Sequence, residues 1–261
     1  RLYPLHILTL ILILFLQLIF LQTSGSFQLY PFIDLYHFIL HVFFAYGWGL
    51  EEGRAFNSPI WTVSLEVVIY FIFFFSIKLI KKYKIFLVLF IYCILLFIDK
   101  GQFSQTSIAR FLNHVEFIGF CKLFFSGVFV FLITEKFKNF NYLMIFSILG
   151  IALSFVGNFK LYLFCPNLLL FFVLIDNFKI INKIKELFQL LGSLTYSIYL
   201  FHTVTFLIAF FILSNTNTID LFYSNYFFII YLLVTILISF YSFTYFEKPI
   251  NIKIRKKLIK N

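Results

Sequence analysis

A chain of 261 residues that is 62% hydrophobic and only 12% charged cannot cover itself with polar surface, since soluble domains carry about 25% charged residues. Its mean hydropathy of +0.99 makes lipid the solvent for much of it and excludes an ordinary soluble enzyme or binding module. The net charge of +10 lies in short clusters between apolar runs, which argues against a nucleic-acid interface as well.

Crossing a hydrocarbon layer of ~30 Å takes about 20 helical residues, with ~17–25 tolerated. The apolar runs are continuous rather than alternating, so they predict helices. In chain order they fall at 4–22, 60–79, 84–98, 116–134, 141–157, 160–176, 188–213 and 226–246, which predicts an all-α polytopic transmembrane bundle of about eight spans in a single domain, 1–261. Residues 31–48 are apolar but carry Asp34, His37 and His41, and predict a re-entrant or interfacial helix. The connection 23–59 is the longest and is expected outside, where, with 99–115 and 214–225, it is large enough to shape a site. Cys93, Cys121 and Cys165 lie in apolar runs without metal-ligand spacing and are expected to be small core residues. No repeat recurs at a fixed period.

The basic residues give the bundle a direction. With Arg1 cytoplasmic, eight spans put the clusters at 78–84, 136–138, 179–185 and 248–260 on the same side as Arg1. Only Arg54, Lys100, Arg110 and Lys160 fall on the other side, and Lys122 lies within a run. The positive-inside rule therefore places both ends of the chain in the cytoplasm, in a cell (inner, cytoplasmic) membrane.

Ionisable groups in spans cost ~2.5–3.5 kcal/mol on insertion scales and usually face a protein interior. In the stretch 57–71, Glu66 lies about six residues into a span, and Thr62, Glu66 and Tyr70 follow at i, i+4 and i+8 on one helix face. Pro59 stands where a helix start would place it. In 192–202, Thr195, Tyr199 and His202 share a face at i, i+4 and i+7, and Gly192 is expected to allow close helix approach. A buried Glu and a lone His serve packing in many helical bundles; the accompanying hydroxyls here point to a lined cavity. In 245–257, Glu247 reads as an acidic cap before a Pro helix-stop and a lipid-held basic tail, or as the partner of a basic residue such as Arg1. Lys122 is expected to snorkel. His37 and His41, four apart, lack a third ligand at sensible spacing, so no metal is assigned.

Together these stretches resemble the membrane acyltransferase-3 family of integral O-acyltransferases. Arg1-Leu2-Tyr3-Pro4 is similar to that family's Arg-x-x-Pro entry to its third span. Trp61 to Glu66 followed by Tyr70 is similar to its Trp-Ser/Thr-Leu-x-x-Glu-x-x-x-Tyr signature. Gly192 to His202 resembles its Gly-x-x-Ser-Tyr-Ser-x-Tyr-Leu-x-His run, with Thr195 in place of Ser. Phe125-Ser126-Gly127 and Glu247-Lys248-Pro249 resemble two further motifs, and the order is kept along the whole chain. His6 stands where Tyr is usual. The resemblance implies a ten-span unit whose first two spans, with an Arg and the catalytic His, precede this chain.

What the resemblance implies chemically is transfer of an acyl group, acetyl first among them, from cytoplasmic acetyl-CoA (or another acyl-CoA) to a hydroxyl of an extracytoplasmic polysaccharide or lipid-linked sugar. Acyl-CoA is then a co-substrate, no cofactor is bound, and this chain by itself is expected to be inactive. Glu66 would orient or relay for the missing base, Trp61, Thr62, Tyr70, Thr195, Tyr199 and His202 would line the acceptor side, and Arg1 and Glu247 would stand on the acyl-donor side. A multi-span transporter or flippase of a lipid-linked sugar is the alternative, against which stands the absence of paired, broken helices in two related halves. A membrane polysaccharide polymerase would need a larger, more charged outer loop than 23–59.

Overall fold

The structure is a computed structural model that describes residues 2–97, 115–137, 140–156, 160–175, 182–216 and 218–259. Arg1 and the connection 99–115, save its last residue, lie outside the described residues. Most of those described are helical, and no strand occurs among them. The helices are α1 (Leu2–Ser24), α2 (Leu35–Val42), α3 (Trp61–Phe97), α4 (Val115–Lys136), α5 (Phe140–Ser154), α6 (Lys160–Ile175), α7 (Asn182–Asn215), α8 (Asn225–Ser242) and α9 (Lys248–Ile259). Among the described residues, five stretches are long and apolar enough to cross a membrane: Leu2–Ser24, Ser58–Ile77, Phe117–Lys136, Glu186–Asn215 and Asn225–Lys257. The protein is thus a multi-pass helical membrane protein.

Three expectations about elements need correction. The turn expected at 80–83 is absent, because α3 runs unbroken for 37 residues, or ~56 Å at 1.5 Å per residue. Residues 78–84 hold four lysines but no Gly or Pro, so nothing in them stops a helix. Helix α5 ends at Ser154 after 15 residues, with a turn at 155–156 inside the run expected to reach 157. Pro249 does not stop the last helix: α8 passes through a π-helical turn, Phe243–Glu247, straight into α9. The π-helical turn just before Pro249 interrupts the regular ladder where the proline has no N–H to give.

Two compact units divide the chain, one of residues 1–62 and 183–261 and the other of residues 63–182. In the first, α1 buries His6, Thr9, Leu10, Ile13, Gln17 and Phe20, a stripe at helical spacing. Gly25, at φ +71°, ends the helix by donating its N–H to the Leu21 carbonyl at 3.1 Å. The chain then turns back along α1. The Gln17 side chain pairs with the Gln28 backbone at 2.7 and 3.0 Å, the His41 carbonyl meets His6 at 2.8 Å, and the Phe44 ring packs on Tyr3. Residues 25–57 therefore fold back beside α1 as a re-entrant segment. Its one helix, α2, has eight residues, about 12 Å, too short to cross.

Irregular backbone at membrane depth must be buried in protein. Leu40, His41, Tyr46, Ala55, Phe56 and Asn57 of this segment are accordingly buried. The tight path leaves Leu29, Phe44 and Phe56 at positive φ, a conformation that side chains with a Cβ rarely adopt. In the second unit, Val88 and Phe125 form one core with Phe73 and Phe124, and Val130, Leu170 and Leu174 form another with Met144. Helices α5 and α6 pack tightly at Gly150, where a Cβ would come within 2.2 Å of Asn167.

Candidate functional site

Asn57, Ser58, Pro59 and Ile60 lead into α3 through a short 3-10 turn, with Pro59 in its first positions. This turn is where the first unit joins its distant parts. The Tyr199 hydroxyl on α7 bonds the Pro59 carbonyl and pairs with the Thr62 hydroxyl at 2.6 Å. The Thr62 hydroxyl also lies 3.3 Å from the same carbonyl, so two hydroxyls with one proton each share the Pro59 oxygen, and either can donate to the other. Asn57, fully buried, donates from Nδ2 to the Leu200 carbonyl at 3.2 Å and to the Thr9 hydroxyl at 3.4 Å. One amide thus ties the re-entrant segment to both α1 and α7.

His202 stands half-buried one turn beyond Tyr199, its Nδ1 donating to the Tyr199 carbonyl at 2.6 Å. In the neutral ring that bond leaves Nε2 as the acceptor. Tyr231 of α8 donates to the His202 carbonyl at 3.0 Å. Trp61 lies across the tip of the re-entrant segment, against Gly47. A Cβ on Gly47 would stand 2.9 Å from the Trp61 Cβ, and its φ of +100° also demands glycine.

The expected acceptor face is met in part. Trp61, Thr62, Tyr199 and His202 come together in the first unit, but Thr195 does not join them: it is exposed and its hydroxyl bonds the Leu191 carbonyl of its own helix. Gly192 has nothing within 4 Å of the position a Cβ would take, so no helix among the described residues approaches it closely there. In the second unit, Glu66 accepts a hydrogen bond from Tyr70, one turn on. The Tyr70 ring lies on Phe124 and, with Val67, Phe71 and Phe74, lines an open apolar recess on α3.

Glu247 is not an exposed cap. It is buried in the π-helical turn and accepts a 2.7 Å hydrogen bond from Ser197; Arg1, its expected partner, lies outside the described residues. Lys122 does not snorkel either. It is buried in the second unit with its ammonium 4.8 Å from the centre of the Tyr162 ring, a cation–π contact.

In the re-entrant segment, Asp34 caps α2 by accepting the His37 N–H at 2.9 Å, and its carboxylate also meets the His37 ring. That backbone bond is the main reason its carboxyl titrates below the usual value. His41 stacks on Tyr46 at 4.2 Å, and Tyr46 in turn bonds Gly53, Ala55 and Ser58. Among the described residues no three His, Cys, Asp or Glu side chains stand together in a metal-binding group.

Sequence reasoning missed His6, Thr9, Gln17, Tyr46 and Asn57 as members of this polar system. The signal was present for three of them, since His6, Thr9 and Gln17 fall at helical spacing in an otherwise apolar run. The architecture and this arrangement define a class, a multi-pass helical membrane protein with a polar re-entrant segment. No family model matches the chain, and neither a curated protein nor a solved structure similar to it was found.

Proposed function

We propose that the chain belongs to a membrane O-acyltransferase that moves an acyl group from cytoplasmic acyl-CoA to a hydroxyl of an extracytoplasmic polysaccharide or lipid-linked sugar, with both termini of residues 1–261 cytoplasmic. The observation that carries this is the joining of Pro59 and Thr62 to Tyr199 and, through its carbonyl, to His202. Two stretches over 130 residues apart, both of which resemble acyltransferase-3 motifs, thereby meet in one polar cluster. In the reaction the acyl carbon–sulfur bond breaks and an acyl carbon–oxygen bond forms. The acceptor proton leaves through a base, and the thiolate of CoA takes up a proton on the donor side. Two hydroxyls and an imidazole gathered in one place suit the binding and orientation of an acceptor hydroxyl. Glu66, held by Tyr70, serves the proton, while Arg1 and Glu247 attend the donor.

The test uses membranes from cells expressing the gene that encodes this chain, supplied with labelled acetyl-CoA. Label is expected in envelope glycan, and Tyr199→Phe and Glu66→Gln are expected to lower kcat by ~100-fold or more with the KM for donor little changed. Unchanged labelling in Glu66→Gln would remove that carboxylate from the chemistry. Movement of lipid-linked sugar across the membrane without any acyl donor, and no label in glycan, would replace the proposal with a flippase.

A further inference from the structure

We infer that α9 is a docking element for anionic phospholipid headgroups, recognised by a collar of cations around a helix that emerges from lipid. The helix that feeds it is itself lipid-facing. Along α8, Phe228, Ile229, Leu233 and Leu237 are exposed, and the residues buried are Thr235 and Ser239. An extension of such a helix enters the headgroup layer rather than a protein interior. Tyr241 and Tyr245 then mark the level of the interface: their rings stack with centroids 6.2 Å apart and both are exposed, where aromatic side chains with a polar tip gather.

Beyond that level the chemistry changes within one turn. Lys248, Lys253, Arg255, Lys256 and Lys257 are all exposed, and residues 248–261 contain no acidic side chain. Lys253, Lys256 and Lys257 share a face at i, i+3 and i+4, whereas Lys248 and Arg255, seven apart, share another. The exposed Ile252 and Ile254 lie between these cations and provide apolar contact with acyl chains. The twelve residues of α9 rise ~18 Å, against roughly 6 Å of headgroup layer on each side. Flexible lysine stems reach back toward that layer.

The arrangement of the charges selects a bilayer over a free phosphate compound. One coenzyme A molecule meets one face of a helix, whereas a leaflet presents phosphates on every side at once. This inference stands apart from the acyltransferase proposal and uses no acyl donor.

The test titrates the purified chain in neutral detergent with dioctanoyl phosphatidylglycerol and, separately, dioctanoyl phosphatidylcholine, counting bound lipid by native mass spectrometry. Phosphatidylglycerol is expected to bind in preference and to be released by 1 M salt, where the Debye length falls to ~3 Å. Each lysine near a lipid surface contributes about fivefold in affinity. K253Q/K256Q/K257Q is therefore expected to weaken phosphatidylglycerol on the order of a hundredfold, and K253R/K256R/K257R to retain it. Both variants should melt with the parent, since these side chains are exposed. Equal binding of the two lipids, or full phosphatidylglycerol binding by the Gln variant, would overturn the inference. So would displacement of the bound phosphatidylglycerol by stoichiometric coenzyme A, which would assign the cations to a soluble phosphate ligand instead.

Discussion

In the first unit, buried and half-buried side chains bond across the chain: Gln17 to Gln28, His6 to His41, Asn57 to Leu200, Tyr196 to Leu2 and Ser197 to Glu247. In the second, the serines bond within their own helices: Ser126 to Leu123, Ser147 to Met144 and Ser154 to Ile151. The difference follows from backbone regularity. A membrane helix satisfies its own peptide groups, so α4, α5 and α6 need only shape and a few small residues to pack. The re-entrant segment has no such ladder, and partners must reach it from α1 and α7. The polar side chains gather in that unit because irregular backbone calls for them.

The sharpest way to break this comparison is a series of Gly→Ala changes, read by thermal unfolding in detergent. Gly47→Ala forces a Cβ against Trp61 at a φ of +100°, and strain with overpacking together are expected to cost about 3 kcal/mol or more. Gly25→Ala, also at positive φ but with nothing within 4 Å, should cost ~1–2 kcal/mol from backbone conformation alone. Gly192→Ala, in a helix with open space around it, should be neutral or stabilise by up to ~1 kcal/mol. If Gly47 and Gly192 tolerate alanine equally, the re-entrant tip is not seated on Trp61.

Next in size comes Asn57. Asn57→Leu removes the donor that serves Leu200 and Thr9 together and leaves both buried, at ~1–3 kcal/mol. Ser147→Ala in the second unit loses only a bond to its own helix and should change stability by less than ~0.5 kcal/mol. Equal effects would dissolve the contrast between tertiary and local hydrogen bonding.

Much of this contrast was legible in the sequence, and the limits are physical. Hydropathy identifies α1, α4, α7 and α8 because lipid imposes length and composition directly. Asp34, His37 and His41 singled out 31–48 as unfit to span, and a short helix capped by Asp34 stands there. What composition does not encode is where a chain reverses. The lysines at 78–84 look like a cytoplasmic turn by charge, yet lysine is a good helix former and α3 continues through them. Within the site, periodicity placed Thr62 and Tyr199 on their faces and they do meet, but Thr195, on the same face as Tyr199, bonds Leu191 instead. Spacing within one helix says which residues share a stripe; it does not say where along that stripe a neighbour ends.

Lys122 sharpens the comparison from the other unit. Its ammonium over Tyr162 is the kind of buried cation that either serves chemistry or only fills space. Lys122→Met keeps the length and removes the charge, and where the role is packing, stability should move by less than ~1.5 kcal/mol in either direction. Acyl transfer lost at unchanged melting temperature would give the ammonium a part in the proposed reaction, and rates and melting both unchanged would leave it to packing against Tyr162.

The smallest expected effect concerns Asp34 and separates the cap from its charge. The carboxylate accepts the His37 N–H at 2.9 Å, and this bond lowers its pKa in the fold below the ordinary 3.8. The stabilisation is therefore complete above that ordinary value and fades as pH falls through the lower folded value. Asp34→Ala should cost about 1 kcal/mol at neutral pH. Asp34→Ser retains a capping oxygen that does not titrate, so its melting temperature should lie near the parent's at pH 7 and fall less on acidification to pH 3. A serine variant that tracks the parent at every pH would mean that the Asp34 charge contributes nothing to α2, and that its oxygen alone holds the start of the re-entrant helix.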